Sequence, residues 1–400
     1  GIKESKGKKV MIMENEKDAD LFLNNYNEFV RDKSFLNNEK LRAKLSPKIG
    51  YVVPSLGISG GIAIVLNHAN RLLKRGFDVA LLSFNEKNNQ DWFNNNVPVI
   101  FAETNKKYLL DGFDIIICTH WSTAFFTDLF PAKRKIYFVQ SDERRFNPEN
   151  KEELMTVEET YKINFEYMTE AIWIQRWLKE EFGHDAYYVP NGIDLSIFHK
   201  TRPLKEKGRR PRILLEGGID IWYKGMTDAY NAVKDIDCEI WIVSCQGRPP
   251  KNWRYDRFFE NVPFSKMKYI YSSCDILVKM SKVEGFFGPP LEAMACGCAV
   301  VTGEVTGYDE YIKDGYNALV VREGDVDGAK KAVSRIIGDN RLKKMLIQNG
   351  LKTAKEWSWD RSIDFLEKVI KKEPIEKFYT DTFPKKYFFR NKKAKIFNDE

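Results

Sequence analysis

Val283-Glu284-Gly285-Phe286-Phe287-Gly288-Pro289-Pro290-Leu291-Glu292-Ala293-Met294-Ala295-Cys296-Gly297 runs between two short apolar stretches, Asp275-Ile276-Leu277-Val278 and Ala299-Val300-Val301. Runs of that length read as strands buried on both faces, and a helix between them is the crossover that parallel strands require. Gly285 and Gly288 lack side chains that would block close backbone approach to a ligand. Pro290 suits the first turn of the helix and Gly297 its end. The amides of the Gly285–Gly288 loop therefore point to a positive helix end, where a phosphate binds. Two carboxylates bracket that place, Glu284 before the loop and Glu292 in the first helical turn. The plainer alternative is that Glu292 complements the helix dipole and Glu284 is solvated.

The same alternation extends to both sides of this segment. Arg212-Ile213-Leu214-Leu215, Glu239-Ile240-Trp241-Ile242-Val243 and Ala318-Leu319-Val320-Val321 supply further strands of a second domain. Ahead of it, Pro203 to Pro211 reads as an interdomain linker. Nearer the N-terminus, Ile49 to Pro54 reads as a strand and Gly57-Ile58-Ser59-Gly60-Gly61 as a loop. Ile62, Val65, Leu66, Ala69, Leu72 and Leu73 then recur at helical spacing until Gly76. Phe77 to Phe84 completes a βαβ unit, and strands follow at Ile115–Ile117, Ile136–Val139, Ala171–Ile174 and Ala186–Val189. Strands alternating with helices in both halves argue two α/β domains with parallel sheets. The expected division is an N-terminal helical extension over 1–48, a first domain over 49–200 and a second over 201–358. Residues 359–400 form a helix that bends back to the first domain near Trp357 and Trp359, then a basic aromatic tail. The extension carries an apolar face around Leu21, Phe22, Tyr26, Phe29 and Val30.

Composition narrows the class. Of the 400 residues 43% are hydrophobic and 30% charged, too apolar for a disordered chain. A net charge of +7 favours phosphorylated ligands or an anionic membrane surface only mildly, and nucleic-acid binding has nothing beyond that diffuse charge. No apolar run reaches membrane-spanning length and the polar start lacks a signal-peptide core, so the expected place is the cytoplasm. The opening at Gly1 rather than a Met points to a longer parent chain. Cys118, Cys238, Cys245, Cys274, Cys296 and Cys298 mostly lie inside apolar runs and read as buried thiols. Cys296-Gly297-Cys298 is too small a set for a zinc site. No strand is followed by Gly-x-Gly-x-x-Gly, which argues against a dinucleotide-dependent oxidoreductase.

The acidic loop resembles the paired-glutamate signature of the family-four retaining glycosyltransferases, and the likeness extends over roughly residues 49 to 370. It implies a GT-B fold, two facing Rossmann-like domains with a deep interdomain cleft. It also implies roles. Glu284 contacts the transferred sugar, Glu292 the ribose of the nucleotide, and the backbone of Phe286, Phe287 and Gly288 the sugar and diphosphate. Gly60 and Gly61 match the first-domain loop near the donor phosphates, and His120 matches a histidine near the donor sugar. Val189-Pro190-Asn191-Gly192-Ile193-Asp194 resembles a short motif before the interdomain crossing and reads as a structural turn. Glu216-Gly217-Gly218 to Lys224 and Tyr137 to Phe146 locally resemble bacterial rhamnosyltransferases and surface-polysaccharide enzymes. The expected catalytic set is Glu284, His120 and Lys224; the expected donor-binding set adds Gly60, Gly61, Gly217, Gly218, Lys279, Gly285, Phe286, Phe287, Gly288 and Glu292.

One position departs from the pattern. The family carries an Arg five residues before a Lys-Gly pair, and here Lys224-Gly225 is preceded by Ile219. Lys279, Lys282 and Arg248 are the candidates to restore that charge, or else ordinary surface and structural residues. Asp235-Ile236-Asp237 and Asp325-Val326-Asp327 spell a metal motif of the other glycosyltransferase fold but read as turn and cap residues. No metal or other cofactor is expected. The expected partners are a nucleotide-sugar donor, such as dTDP-rhamnose or a UDP- or GDP-sugar, and a saccharide or lipid-linked glycan acceptor. The tail offers a peripheral contact with the inner face of the membrane. The competing reading is a non-catalytic sugar-nucleotide or glycan-binding module of the same fold.

Overall fold

Each half of the chain builds its own all-parallel sheet. The computed structural model describes residues 47–84, 92–101, 112–127 and 132–373, with two short strands nearer the N-terminus. Those two, β1 (Lys3–Ser5) and β2 (Lys8–Val10), pair antiparallel where the sequence reads as helical. The apolar face expected at residues 21–30 and the tail after residue 373 lie outside the described residues.

The first sheet contains β3 (Lys48–Val53), β4 (Asp78–Ser83), β5 (Val99–Phe101), β6 (Phe113–Cys118), β7 (Ala132–Val139), β8 (Glu166–Thr169) and β9 (Ala186–Tyr188), in the order β5-β4-β3-β6-β7-β8-β9. The second contains β10 (Arg212–Glu216), β11 (Glu239–Ser244), β12 (Arg257–Glu260), β13 (Ile276–Lys279), β14 (Ala299–Gly303) and β15 (Leu319–Val321), in the order β12-β11-β10-β13-β14-β15. The order reverses at the first strand of each sheet, and ligands of such sheets gather at that reversal, beyond the carboxyl ends of the strands. The central strands are buried almost throughout because helices cover both faces.

One expected strand is a helix. Ala171–Ile174 opens the helix Ile172–Phe182, and the strand ends earlier, at Thr169. Ile174, Gln175 and Leu178 turn inward at helical spacing, and Gly183, at φ 76°, closes the helix in the left-handed conformation. Sequence pattern also missed the short β5 and β12, which form the outer edges of their sheets, where burial is incomplete.

Near the end of the described chain, the helix Trp359–Ile370 lies on the first half. Ile363, Leu366 and Val369 join the core formed by Ile49, Val65 and Leu72. Arg75 binds Asp364 and Glu367 at 2.8 and 2.6 Å. Where the chain crosses between halves, a Cβ on Gly192 would sit 2.4 Å from the Trp359 nitrogen, so two backbone segments pass in contact there. Asp194 pairs with Arg71 at 2.6 Å, consistent with a structural turn.

Candidate functional site

The acidic loop leaves the carboxyl end of β13, beside the reversal in the second sheet. The helix after it spans Gly288–Ala295 with Phe287 as N-cap, and Pro289 and Pro290 occupy its first turn. Glu292 lies one turn deeper than the sequence suggests, since the first turn holds no acid. Its carboxylate accepts from the Tyr271 hydroxyl at 3.0 Å, and burial raises its pKa to about 8. Fewer amides face a ligand than expected. Phe286 N–H donates to Glu170 at 2.8 Å, Gly288 N–H donates to the Phe286 carbonyl at 3.0 Å, and the prolines have none. The side chains of Phe286 and Phe287 are buried in the core.

The two glycines of the loop have different tasks. A Cβ on Gly285 would stand 1.7 Å from the Gln140 carbonyl of the first half, so its close approach is to protein, not ligand. Gly288 faces open space, as a ligand-contacting glycine would.

Glu284 is buried, and both of its carboxylate oxygens accept from Lys224 Nζ, at 2.9 and 3.1 Å. Burial pulls the Lys224 pKa down, but the Glu284 carboxylate outweighs it and the net shift is upward. Lys224 is brought there by the 3-10 turn Trp222–Lys224. Gly225 ends that turn at φ 62°, where a Cβ would collide with the Met280 carbonyl.

The other expected cations are already engaged. Lys279 is 1% exposed and its ammonium donates to the Glu216 carboxylate at 2.7 Å and carbonyl at 2.9 Å. It ties β13 to Glu216, at the start of the Gly217-Gly218 loop. Gly217, at φ 151°, and Gly218 carry that loop over Met226 and Ile221. Lys282 pairs with Asp228 at 3.1 Å and Arg248 with Glu260 at 2.7 Å. Ile219 joins the apolar core of the second half, as its side chain dictates.

On the first half, His120 follows the carboxyl end of β6, beside the other reversal. Nδ1 lies 2.8 Å from the Ser122 hydroxyl and Nε2 3.5 Å from Glu143. Burial lowers the His120 pKa, keeping the imidazole neutral. Glu143, which sequence reasoning passed over, accepts from Trp121 N–H at 2.8 Å and the Tyr137 hydroxyl at 3.0 Å, and burial lifts its pKa to about 8. Gly60 and Gly61 open the helix Gly60–Lys74. Gln140 joins the three loops: a Cβ on Gly61 would meet its amide oxygen at 3.1 Å, its Nε2 donates to the Thr119 carbonyl, and its own carbonyl presses on Gly285.

Among the described residues no group of three or more His, Cys, Asp or Glu is arranged to hold a metal ion. Asp325 caps the helix Val326–Gly338 by accepting from Gly328 N–H, and Asp237 pairs with Arg210. Five cysteines are buried; Cys245 is exposed.

Residues 257–353 match the family model for glycosyl transferases group 1, a span that includes the acidic loop and Glu292. An uncharacterized glycosyltransferase of Methanocaldococcus jannaschii is 25% identical over 206 residues, covering 49% of this chain and 56% of that one. The chain thus spans little more than half the length of this curated relative. Sucrose-phosphate synthase from Thermosynechococcus elongatus superposes with a TM-score of 0.70 at 16% identity, over 81% of this chain and 98% of that one. HepE of Anabaena, solved with UDP-glucose, gives 0.68 at 13% identity, over 82% and 100%. Matches of that extent take in both sheets and their mutual placement. The chain has the GT-B fold.

The two GT-B domains meet through a clasp that no local pattern revealed. Trp173 Nε1 donates to the Gly285 carbonyl at 2.9 Å. Glu310 accepts from Ile172 N–H at 2.6 Å and the Tyr188 hydroxyl at 2.7 Å. Glu170 holds Phe286 N–H and also accepts from Asn191 Nδ2 at 3.0 Å. Burial raises Glu170 to about 8 and Glu310 to about 7. The available signal was a glutamate directly after a strand in a GT-B first domain, hidden because the segment after it read as strand. Among the described residues no helix is long and apolar enough to cross a membrane.

Proposed function

We propose that this GT-B chain transfers a sugar from a nucleotide-diphosphate donor to a saccharide or lipid-linked glycan acceptor, with retention at the anomeric carbon. The observation that carries the reading is the Lys224–Glu284 pair at the carboxyl end of β13, beside the Gly288–Ala295 helix that bears Glu292. When the donor binds, its diphosphate draws Lys224 away from Glu284. The freed carboxylate then accepts hydrogen bonds from the sugar hydroxyls, and Glu292 does the same for the ribose. Lys224 and the helix end stabilise the charge that grows on the departing diphosphate. The acceptor hydroxyl attacks the anomeric carbon on the face the diphosphate leaves. The carbon–phosphate oxygen bond breaks as the new glycosidic bond forms, and a phosphate oxygen takes the acceptor proton. No residue acts as a covalent nucleophile, and the donor's charge is met without a metal. His120, neutral and held by Ser122, faces the sugar.

The donor candidates are dTDP-rhamnose and UDP- or GDP-sugars; the GT-B neighbour HepE, solved with UDP-glucose, supports the uridine class. The site is read as serving surface-polysaccharide or glycoprotein glycan synthesis on the cytoplasmic side of a membrane. Calorimetry of UDP, GDP, dTDP and ADP, in EDTA, on the native protein and Glu292→Ala tests this. One nucleotide binds the native protein, and the substitution weakens it about tenfold, the weight of one buried hydrogen bond whose partner is left unsatisfied. Binding by none of the four would sink the reading. Ile219 favours the second reading, a sugar-nucleotide-binding module, and nucleotide binding without turnover or hydrolysis of a labelled donor would establish it.

A further inference from the structure

Arg145 is a cation at the domain interface with no carboxylate partner. It ends the 3-10 turn Glu143–Arg145, just past β7 of the first domain. Its Nη1 donates to the Thr306 hydroxyl at 2.9 Å and its Nη2 to the Lys282 carbonyl at 3.1 Å. The acids nearest in sequence are engaged elsewhere: Glu143 accepts from Trp121 N–H and the Tyr137 hydroxyl, and Asp142 is bound to Arg144 at 2.9 and 3.0 Å. Among the described residues no ion pair includes Arg145, although the side chain is only partly exposed. A guanidinium has five N–H donors, and two are engaged here. Burial lowers its pKa, outweighing the opposing pull of the Asp142 and Glu323 carboxylates, neither of which pairs with it.

The position of Arg145 is set by contacts from the second domain. The Thr306 hydroxyl that accepts from it donates in turn to the Glu284 carbonyl at 2.8 Å. Lys282, whose carbonyl is its other acceptor, donates its own N–H to the Tyr223 carbonyl at 2.7 Å. The neighbouring Phe146 packs on Tyr223 with ring centres 5.1 Å apart, and its carbonyl accepts from Trp222 Nε1 at 3.0 Å. The turn that carries Arg145 is therefore docked on the segment that carries Lys224. Lys224 meets Glu284 at its carboxylate, and Arg145 reaches the same residue through Thr306 at its carbonyl.

We infer that Arg145 binds the diphosphate of the donor, so that the first domain supplies the cation that Ile219 does not. The inference rests on the glycosyl-transfer reading of this site and extends it. A planar guanidinium with free donors suits a bidentate grip on phosphate oxygens, and a diphosphate offers the directly paired negative charge that no side chain supplies here. A cation contributed across the interface also makes diphosphate binding depend on domain closure.

Calorimetry on the full chain tests it, with the nucleoside diphosphate that binds best and the matching monophosphate. Arg145→Gln keeps a neutral donor near Thr306 and removes the charge. The diphosphate should weaken about tenfold or more and the monophosphate about threefold or less, with Arg145→Lys recovering most of the loss. Thr306→Val removes the strut and keeps the charge, so it should weaken the diphosphate less than Arg145→Gln does. Equal weakening of mono- and diphosphate by Arg145→Gln, or equal effects of Arg145→Gln and Thr306→Val, would overturn the inference in favour of an interdomain strut. Unchanged diphosphate affinity in Arg145→Gln would overturn it too and leave the donor site itself intact. Failure of the native protein to bind any nucleoside diphosphate would overturn both the site and the inference.

Discussion

Lys224 and Glu284 show how an expected pair of site residues depend on each other. Each is charged and largely enclosed, and each satisfies the other. Removing one partner leaves the other charge without compensation, which costs more than removing both. Lys224→Met should therefore lower stability by about 1–3 kcal/mol, reduced from the fully buried case because Lys224 keeps some solvent contact. Lys224→Met/Glu284→Gln should recover most of that loss while abolishing turnover. Urea unfolding of the two single variants and the double variant gives the coupling; strict additivity would show that the pair is not linked. The residue types at these positions were legible in the sequence. Their pairing was not, because 60 residues separate them in the chain.

Loops at strand ends bring these residues together as a candidate site. In the acidic loop, Gly285 is pressed by the Gln140 carbonyl and Gly288 is open. Gly285→Ala should cost several degrees of melting temperature, because its Cβ meets backbone that cannot rotate away. Gly288→Ala should leave the melting temperature nearly unchanged and weaken nucleotide binding. Thermal unfolding beside calorimetry of both variants separates the two roles; equal melting temperatures would remove the assigned difference. The sequence marked both glycines alike, since the element that distinguishes them belongs to the other domain. The helix at Ile172–Phe182 carries a related lesson. Its aromatic and β-branched start imitates a strand, and the burial of Ile174, Gln175 and Leu178 on one face decides otherwise.

Across the whole molecule, the clasp places two buried glutamates with raised pKa values at the domain contact, so stability and closure should respond to pH. Glu170 and Glu310 ordinarily ionise near 4.5 and here do so near 8 and 7. Below pH 4.5 both the folded and unfolded states hold these protons and neither glutamate destabilises the fold. Between 4.5 and 8 the unfolded chain gives them up first, so this contribution to stability falls as pH rises. The melting temperature should drop, on the order of 5 °C, between pH 5.5 and 8.5. Glu170→Gln should flatten that slope. Asn191 Oδ1 has no partner beside Glu170, and a reoriented Asn191 would present it to the new amide. An identical slope in native and Glu170→Gln proteins would assign the pH dependence elsewhere. Small-angle scattering should also show the native protein expanding at pH 8.5 and contracting again with bound nucleotide. A radius of gyration unmoved by both would rule out a clasp that opens.

Short-range signals were enough for the larger plan. Apolar runs, helical spacing and punctuation by Gly76, Pro290 and Gly297 act within a few residues, so two parallel α/β domains and the acid-bearing loop could be read directly. The edge strands β5 and β12 escaped because partial burial weakens their pattern. The contacts between domains escaped for a different reason. Trp173 to Gly285 spans 112 residues, Ile172 to Glu310 spans 138, and Arg145 to Thr306 spans 161. A hydrogen bond leaves no trace in local hydrophobic periodicity, and the side chains that make these bonds look like solvated surface until the sheets face each other. Which acids have raised pKa values, which glycine yields to protein and which arginine has no ion-pair partner depend on burial by a partner element, and burial of that kind exists only once both domains are folded and in contact.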